Sequence, residues 1–325
     1  MRAMTVPLSG SAQAFTLSEF PDPVPGPGEV LIEVAAAGVN RADVAQRQGT
    51  YASAPGWPEW PGLEVSGTIA AVAGQVGDWR VGDRVCALLG GGGYADLVVV
   101  PTTHLLRVPE SVDLVDAAGL PETVCTVWSN VFMTAGLKAG ETLLVHGGGS
   151  GIGTTAIQLA RALGSLVAVT AGSQRKLDVC RELGAEILIN YPEQDYVTEL
   201  LRATDGRGAD VILDHIGGDY LDRDLQALAP HGRIIMIGNQ SGQQATISIG
   251  RLMRKWATIH GSTLRARSDE EKSEIVASVA ANVWPLVENG QVTPVIDERI
   301  PLTEVARAHE KLEASEHVGK ILLVP

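Results

Sequence analysis

Cysteine is scarce in this chain of 325 residues: only Cys86, Cys125 and Cys180, far apart from one another. An odd, sparse set excludes a disulfide framework and a four-cysteine zinc lobe, and it fits a reducing compartment. Positive charge is also short. Against 38 Asp and Glu stand 25 Lys and Arg, a formal net charge of −13. Nucleic-acid backbones are held by clustered cations, so nucleic acid is not the expected partner. A local cluster, Arg251, Arg254, Lys255, Arg265 and Arg267, suits cofactor phosphates or solvent as well as RNA. No apolar run approaches the ~18 residues of a membrane span, and no basic stretch leading into an apolar one opens the chain. We therefore expect a cytoplasmic protein with no membrane partner. Neither an internal repeat nor a low-complexity tail is visible. Apolar residues are plentiful at 45%, enough for a sizeable core, and the length suits two domains at about 150 residues each.

The most informative stretch is Leu143-Leu144-Val145-His146-Gly147-Gly148-Gly149-Ser150-Gly151-Ile152-Gly153. An apolar run enters a glycine cluster, and a helical pattern follows from Thr154 to Gly164. Strand, tight turn and helix in that order form a phosphate-binding turn. Glycines let the backbone approach a pyrophosphate, and the free N–H groups of the helix start point at it. Ser150 stands where the usual pattern has its middle glycine. A second strand about 20 residues on completes the expected context.

Around this stretch the texture changes twice. Up to about residue 112, short strands alternate with Gly and Pro turns. Glu29–Ala36 and Glu64–Val72 read as strands, Gly82–Val85 enters another and Gly90–Val100 continues it, which suggests a barrel-like β domain. Helical segments then run from Val115 to Ala135. Strands at Thr142–Val145, Leu166–Thr170, Ala185–Asn190, Val211–Asp214 and Arg233–Ile237 alternate with helices, the pattern of βαβ units in a parallel sheet. The tail reads as a long helix over Asp269–Asn289, an extended segment at Val295–Ile300, a helix at Leu302–Glu313 and a last strand at Lys320–Val324.

The end of the second strand selects the cofactor. An Asp or Glu there holds the ribose 2′-OH of NAD. Here the residues are Thr170-Ala171-Gly172-Ser173-Gln174-Arg175-Lys176. No acid is present and two cations lie within a turn, so Ser173, Arg175 or Lys176 would accommodate a 2′-phosphate. The expected cofactor is NADPH.

Several segments together carry a family likeness: Gly38-Val39-Asn40-Arg41-Ala42-Asp43, Gln46-Arg47-Gln48-Gly49-Thr50-Tyr51, Gly62-Leu63-Glu64-Val65-Ser66-Gly67, Ser150-Gly151-Ile152-Gly153, Thr170 to Gln174, Gly261 to Arg265, and His317 to Ile321. The chain resembles the medium-chain dehydrogenase/reductases end to end. Within them it is most similar to the zinc-independent, zeta-crystallin-like quinone oxidoreductases, in particular the tumour-suppressor-inducible branch. The resemblance implies an α/β fold in which a Rossmann domain, a doubly wound parallel sheet over residues 121–259, is inserted into a GroES-like β-barrel catalytic domain over 1–120 and 260–325. It implies an active site in the cleft between them, and a homodimer.

It also implies roles for particular residues. Asn40 would lie beside the nicotinamide ribose and the acceptor, and Tyr51 close by as a donor of a hydrogen bond or proton. Gly147, Ser150, Gly151, Ile152 and Gly153 would carry the pyrophosphate. Gly172, Ser173, Lys176 and Tyr191 would surround the adenosine 2′-phosphate. Thr126, Asn239, Leu264 and Lys320 would follow the cofactor towards its nicotinamide end. The Trp57/Trp60 loop departs from the family and either shapes the pocket mouth or covers the β domain.

Zinc-dependent relatives carry Cys where Asn40 stands and His where Leu63 stands. Catalytic zinc needs three protein ligands, and Asp43 and Glu64 alone do not make them, so no metal is expected. Glu64 reads instead as a supporting acid. His146 reads as a packed or backbone-bonded residue, and Cys125 as buried. A quinone needs little polarisation, because hydride addition gives a delocalised hydroquinone anion, so the expected reaction is NADPH-dependent quinone reduction. Two alternatives stay open: reduction of an activated C=C bond in a 2-alkenal or enoyl thioester, with Tyr51 as proton donor, and a non-enzymatic NADPH-binding role.

Overall fold

Period-two alternation dominates the first hundred residues, and in the computed structural model, which describes residues 1–242 and 244–325, strands follow from it. The chain divides into two units, Met1–Cys125 with Leu264–Pro325, and Thr126–Thr263.

In the first unit β1 (Arg2–Thr5) and β2 (Thr16–Glu19) form a separate antiparallel ribbon. β3 (Glu29–Gly38) is the hub of a seven-stranded sheet with β4 (Glu64–Val72), β5 (Arg84–Leu88), β6 (Leu97–Pro101) and β7 (Leu105–Arg107). The stretch Gly90–Gly93, expected to continue a strand, is irregular, and pairing resumes at β6. β3 is ten residues long and pairs with β6 along its first half. Its last two residues, Ala37 and Gly38, pair with the closing strand of the chain. Two register shifts against β4 let it bend between these partners. Its alternate residues Val30, Ile32 and Val34 are buried in the core of this unit. α1 (Arg41–Arg47) follows β3. The expected helix at Val115–Leu120 is only a 3-10 turn over Asp116–Gly119, after which α2 (Pro121–Val127) begins.

The second unit opens with a wider π-helical turn at Trp128–Thr134 where an ordinary helix was expected. It then builds six parallel strands: β8 (Thr142–His146), β9 (Leu166–Ala171), β10 (Ile187–Asn190), β11 (Ala209–Asp214), β12 (Leu228–Met236) and β13 (Thr258–Gly261). α3 (Gly151–Ala162), α4 (Gln174–Leu183), α5 (Tyr196–Ala203), α6 (Leu221–Ala227) and α7 (Ile249–Lys255) alternate with them. The spatial order is β10-β9-β8-β11-β12-β13. Strand order therefore reverses between β8 and β11, where α/β sheets bind ligands at the carboxyl ends of their strands. Both strands are buried throughout, as central parallel strands are. β13 was not visible in the sequence: it is four residues long and mostly exposed.

The chain then returns to the first unit. The expected helix over 269–289 is two, α8 (Asp269–Asn282) and α9 (Trp284–Glu288), with Pro285 in the first turn of the second. Proline removes one helical N–H and clashes with the preceding turn, which breaks the run. β14 (Ile296–Pro301), α10 (Val305–Glu313) and β15 (Lys320–Val324) end the chain, with β15 between β14 and β3.

Candidate active site

In the second unit the glycine turn joins β8 to α3 at the switch point. Gly147 has φ +68°, and a Cβ there would stand 2.5 Å from the His215 ring at the end of β11. Only glycine satisfies both conditions. Ser150 is the N-cap of α3, its Oγ accepting from the Gly153 N–H at 3.0 Å. The apparent departure from the glycine pattern is thus a helix cap, and it leaves the N–H groups of Gly151 and Ile152 without an intrahelical acceptor.

Beside the turn, β9 ends in Ala171-Gly172-Ser173. Ser173 caps α4, its Oγ accepting from Lys176 N at 3.4 Å. The Lys176 stem lies along Gly149, where a Cβ would meet it at 3.0 Å, and the Tyr191 hydroxyl lies over Gly172, where a Cβ would meet it at 2.8 Å. Gly149, Gly172, Ser173, Lys176 and Tyr191 are therefore gathered at the mouth of β8 and β9, and the exposed Arg175 follows on α4. Asn239 is exposed after β12, in a loop tied to the end of β11 by Ile237 N–H to Asp214 O at 2.8 Å. Thr126 is buried, its carbonyl accepting from Asn130 Nδ2 at 2.8 Å.

His146 is held by side chains rather than by backbone. Its Nε2 is 2.9 Å from Asp224 Oδ1 and its Nδ1 3.1 Å from Thr170 Oγ1. Tyr196 donates to the same Asp224 oxygen at 2.8 Å. This buried network lies next to the glycine turn, which follows His146 directly.

In the first unit the end of β3 and the start of α1 place Asn40 between a cation and an acid. Lys320 Nζ on β15 donates to Asn40 Oδ1 at 2.7 Å and to Val39 O at 2.9 Å, and it pairs with Glu64 Oε1 at 2.7 Å. Three partners use all three ammonium hydrogens, so the donor expected to reach the cofactor is turned inward. Asn40 Nδ2 donates to Glu64 Oε1 at 2.9 Å, and its second contact, to Gly38 O, is long at 3.4 Å. The other Glu64 oxygen accepts the Glu122 N–H at 2.9 Å, at the start of α2. An acid at a helix N-terminus is favourably placed.

Asp43 is fully buried beneath this group. It accepts from Asn40 N at 2.8 Å, Gly62 N at 3.0 Å and the Tyr94 hydroxyl at 3.1 Å. Burial pushes its carboxyl up to about 6 against the pull of those N–H groups and of Lys320 and Arg265. Burial also pushes Glu122 up to about 8, with the Glu64 charge acting in the same direction and Lys320 opposing.

Tyr51 is half-buried, and the Arg265 guanidinium sits 5.0 Å from its ring centroid. Arg265 donates to Gly90 O at 3.0 Å and to Gln46 Oε1 at 2.6 Å, while its buried Nη1 has no hydrogen-bond partner among the described residues. Leu264, just before it, is buried. The Trp57/Trp60 loop covers the glycine run Gly90–Gly93. Trp57 stacks with His104 at 6.2 Å, and Trp60 donates to Gly92 O at 2.9 Å.

Three members of the basic cluster have partners within their own unit. Arg251 pairs with Asp222 at 2.7 Å, Lys255 donates to Gln226 O at 2.7 Å, and Arg267 pairs with Glu271 at 3.5 Å. Sequence reasoning passed over Glu122, Arg265 and Gln46 as site residues. An acid after proline at a helix start was visible, but its neighbours come from distant segments.

Two family descriptions match the chain: an alcohol dehydrogenase GroES-like domain over residues 26–110 and a zinc-binding dehydrogenase over residues 151–280. Quinone oxidoreductase of Homo sapiens is 33% identical, covering 100% of this chain and 98% of its own. Quinone oxidoreductase of Pseudomonas aeruginosa is 32% identical, covering 97% of each. The crystal structure of Escherichia coli quinone oxidoreductase complexed with NADPH superposes with a TM-score of 0.88 at 26% identity, covering 100% of both chains.

The zinc that one description mentions does not fit the residues present. Asn40 and Leu63 offer no ligand, and both Glu64 oxygens are engaged by Lys320, Asn40 and Glu122. Among the described residues no group of three His, Cys, Asp or Glu side chains is arranged to hold a metal ion. With its parallel Rossmann sheet and GroES-like domain, the chain belongs to the medium-chain dehydrogenase/reductase superfamily and, within it, to the quinone oxidoreductase family.

Proposed function

We propose that this chain is an NADPH-dependent quinone oxidoreductase that transfers hydride without a metal. The observation that carries the cofactor choice is the acid-free end of β9, with Lys176 lying along the glycine turn. A carboxylate there would repel a 2′-phosphate, whereas a lysine and a serine attract it. Gly147, Ser150, Gly151, Ile152 and Gly153 would line the pyrophosphate. Gly172, Ser173, Lys176 and Tyr191 would hold the 2′-phosphate, with Thr126, Asn239 and Leu264 further along the cofactor. When bound, NADPH supplies the hydride.

The chain's own residues orient the acceptor. Lys320 and Glu64 fix both ends of the Asn40 amide, so Asn40 presents the Nδ2 hydrogen that makes only the long bond to Gly38 O. Lys320 acts through Asn40 rather than by touching the cofactor. Tyr51, steadied by Arg265, offers a hydroxyl. A quinone requires no stronger polarisation than this, because its reduced form is already delocalised, and holding the reactants in contact supplies most of the rate.

The relatives' names support quinones as acceptors. Reduction of an activated C=C bond differs in one respect: the α-carbon must be protonated, and Tyr51 is the hydroxyl at hand. Steady-state turnover of Tyr51→Phe separates the two. Quinone reduction predicts a loss within about tenfold, and C=C reduction a loss of about a hundredfold or more.

The homodimer belongs to the same reading. Among the described residues β13 has a neighbour on one side only, and Ile249, Met253 and Trp256, on and just after α7, are exposed. An open edge with apolar neighbours is a template for pairing with a second copy. Sedimentation of the purified protein as a monomer at micromolar concentration would refute it.

A further inference from the structure

His146 and Thr170 are register partners at the carboxyl ends of the parallel strands β8 and β9, and both are buried. Their side chains meet, with His146 Nδ1 3.1 Å from Thr170 Oγ1. On the far side of the ring, Nε2 faces Asp224 Oδ1 on α6 at 2.9 Å, and the Tyr196 hydroxyl on α5 donates to that same oxygen at 2.8 Å. On the near side, Thr170 accepts two successive amides of the glycine turn. Gly147 N–H donates to its Oγ1 at 3.3 Å and Gly148 N–H to its carbonyl at 2.9 Å. The Tyr196 and Tyr220 rings stand nearly perpendicular to the imidazole, at 78° and 79°, each with its centroid 4.9 Å away, and they fix its plane.

These contacts fix the direction of every hydrogen along the chain. The Asp224 carboxylate only accepts, so Nε2 carries the hydrogen of a neutral ring. Nδ1 is then an acceptor and takes the Thr170 hydroxyl hydrogen, which leaves the Thr170 oxygen's lone pairs to the Gly147 N–H. From Gly147 through Thr170 and His146 to Asp224, each donor points the same way. We propose that His146 is a positioning residue for the dinucleotide turn: anchored by Asp224 and Tyr196, it orients the Thr170 hydroxyl, which holds the Gly147 amide inward. With Gly147 and Gly148 tied to Thr170, the turn is set in the conformation that leaves the N–H groups of Gly151 and Ile152 to phosphate oxygens. The inference rests on the assignment of this turn to the NADPH pyrophosphate. His146 acts through Thr170 and touches no reacting atom.

Two substitutions of opposite kind test this in full-length protein. Thr170→Val keeps the volume and branching of the side chain and loses the hydroxyl, whereas Thr170→Ser keeps the hydroxyl and loses a methyl. In fluorescence titrations Thr170→Val should weaken NADPH and NADH alike by about threefold to tenfold, the span of one net hydrogen bond. Thr170→Ser should bind both within about twofold of the wild type. A packing role alone ranks the two the other way, because serine leaves a void in a buried site and valine does not. His146→Gln, whose amide reaches the place of Nε2 and satisfies Asp224 but leaves no acceptor at Nδ1, should match Thr170→Val. In all three the loss should lie in Kd and in KM for NADPH rather than in kcat at saturating NADPH.

A measurement on the wild type alone holds whether or not a variant folds. Heteronuclear NMR of protein labelled at its histidine nitrogens, at about pH 8, should show the His146 ring protonated on Nε2 and bare at Nδ1. Thr170→Val with wild-type affinity for both nucleotides, Thr170→Ser binding as weakly as Thr170→Val, or a His146 ring protonated on Nδ1 would each overturn the proposal while leaving quinone reduction standing. A wild type that binds neither nucleotide would overturn the cofactor assignment and this inference together.

Discussion

Lys320 Nζ lies 2.7 Å from Glu64 Oε1, with the two side chains 5% and 0% exposed. The pair joins the last strand of the chain to β4 and fixes Asn40 between them. A buried ion is costly without its partner, by about 3–5 kcal/mol when one side is removed. Lys320→Met should lose about that much stability in denaturant unfolding, and Lys320→Met with Glu64→Gln should recover part of it. A single variant within about 1 kcal/mol of the wild type would show that the pair is not structural.

Cofactor discrimination should depend on Lys176. A charge-assisted hydrogen bond contributes about 1.5–3 kcal/mol, so Lys176→Ala should weaken NADPH binding about tenfold to a hundredfold. NADH, which has no 2′-phosphate, should bind within about twofold of before. Fluorescence titration of both nucleotides decides it, and equal losses would remove Lys176 from the phosphate site.

The glycine turn should tolerate no side chain at its first position. Gly147 combines φ +68° with a Cβ position 2.5 Å from His215. Gly147→Ala should cost about 1–3 kcal/mol of strain and weaken both nucleotides alike. An alanine variant with unchanged stability and affinity would contradict the geometry.

Stability at acid pH should carry the signature of His309. Its ring is fully buried, with Nε2 3.2 Å from the Tyr94 hydroxyl, and burial first, then Arg47 and Arg41, lower it to about 3. The folded state therefore excludes a proton that the unfolded state binds, and stability is lost as pH falls below about 6.5. Asp43, raised to about 6, has the opposite sign. Its contribution is present at low pH and lost as pH rises through that value. The two offset each other between about pH 4 and 6. His309→Gln removes one of them, so its stability deficit should shrink as pH falls, by at most about 1.4 kcal/mol per pH unit. A deficit independent of pH would show that the ring is not held neutral.

How much of this was legible in the sequence follows the distance between partners. β8, its glycine turn and α3 lie within one continuous stretch, and the cap at Ser150 satisfies its neighbour three residues on. Strand, turn and helix are all local events there, and the sequence pattern reports them. The acid-free end of β9 was equally plain, because the seven residues Thr170–Lys176 decide it.

The Asn40 cluster was visible as residue types and hidden as an arrangement. Asn40, Glu64, Glu122 and Lys320 come from four separated segments. No periodicity records that Lys320 uses all its donors inside the cluster. β13 escaped notice because an exposed edge strand of four residues has no apolar alternation. The π-helical turn at Trp128–Thr134 was hidden because its residues have the composition of any helix. The break at Pro285, by contrast, was in plain view.

The most direct measurement is the oxidation of NADPH by purified protein, followed against a panel of benzoquinones and naphthoquinones beside 2-alkenals and enoyl thioesters. Quinone reduction predicts rapid NADPH consumption with the quinones, little with the other two classes, and slower turnover when NADH replaces NADPH. NADPH consumed only with alkenals or thioesters, or bound and consumed with none, would contradict it.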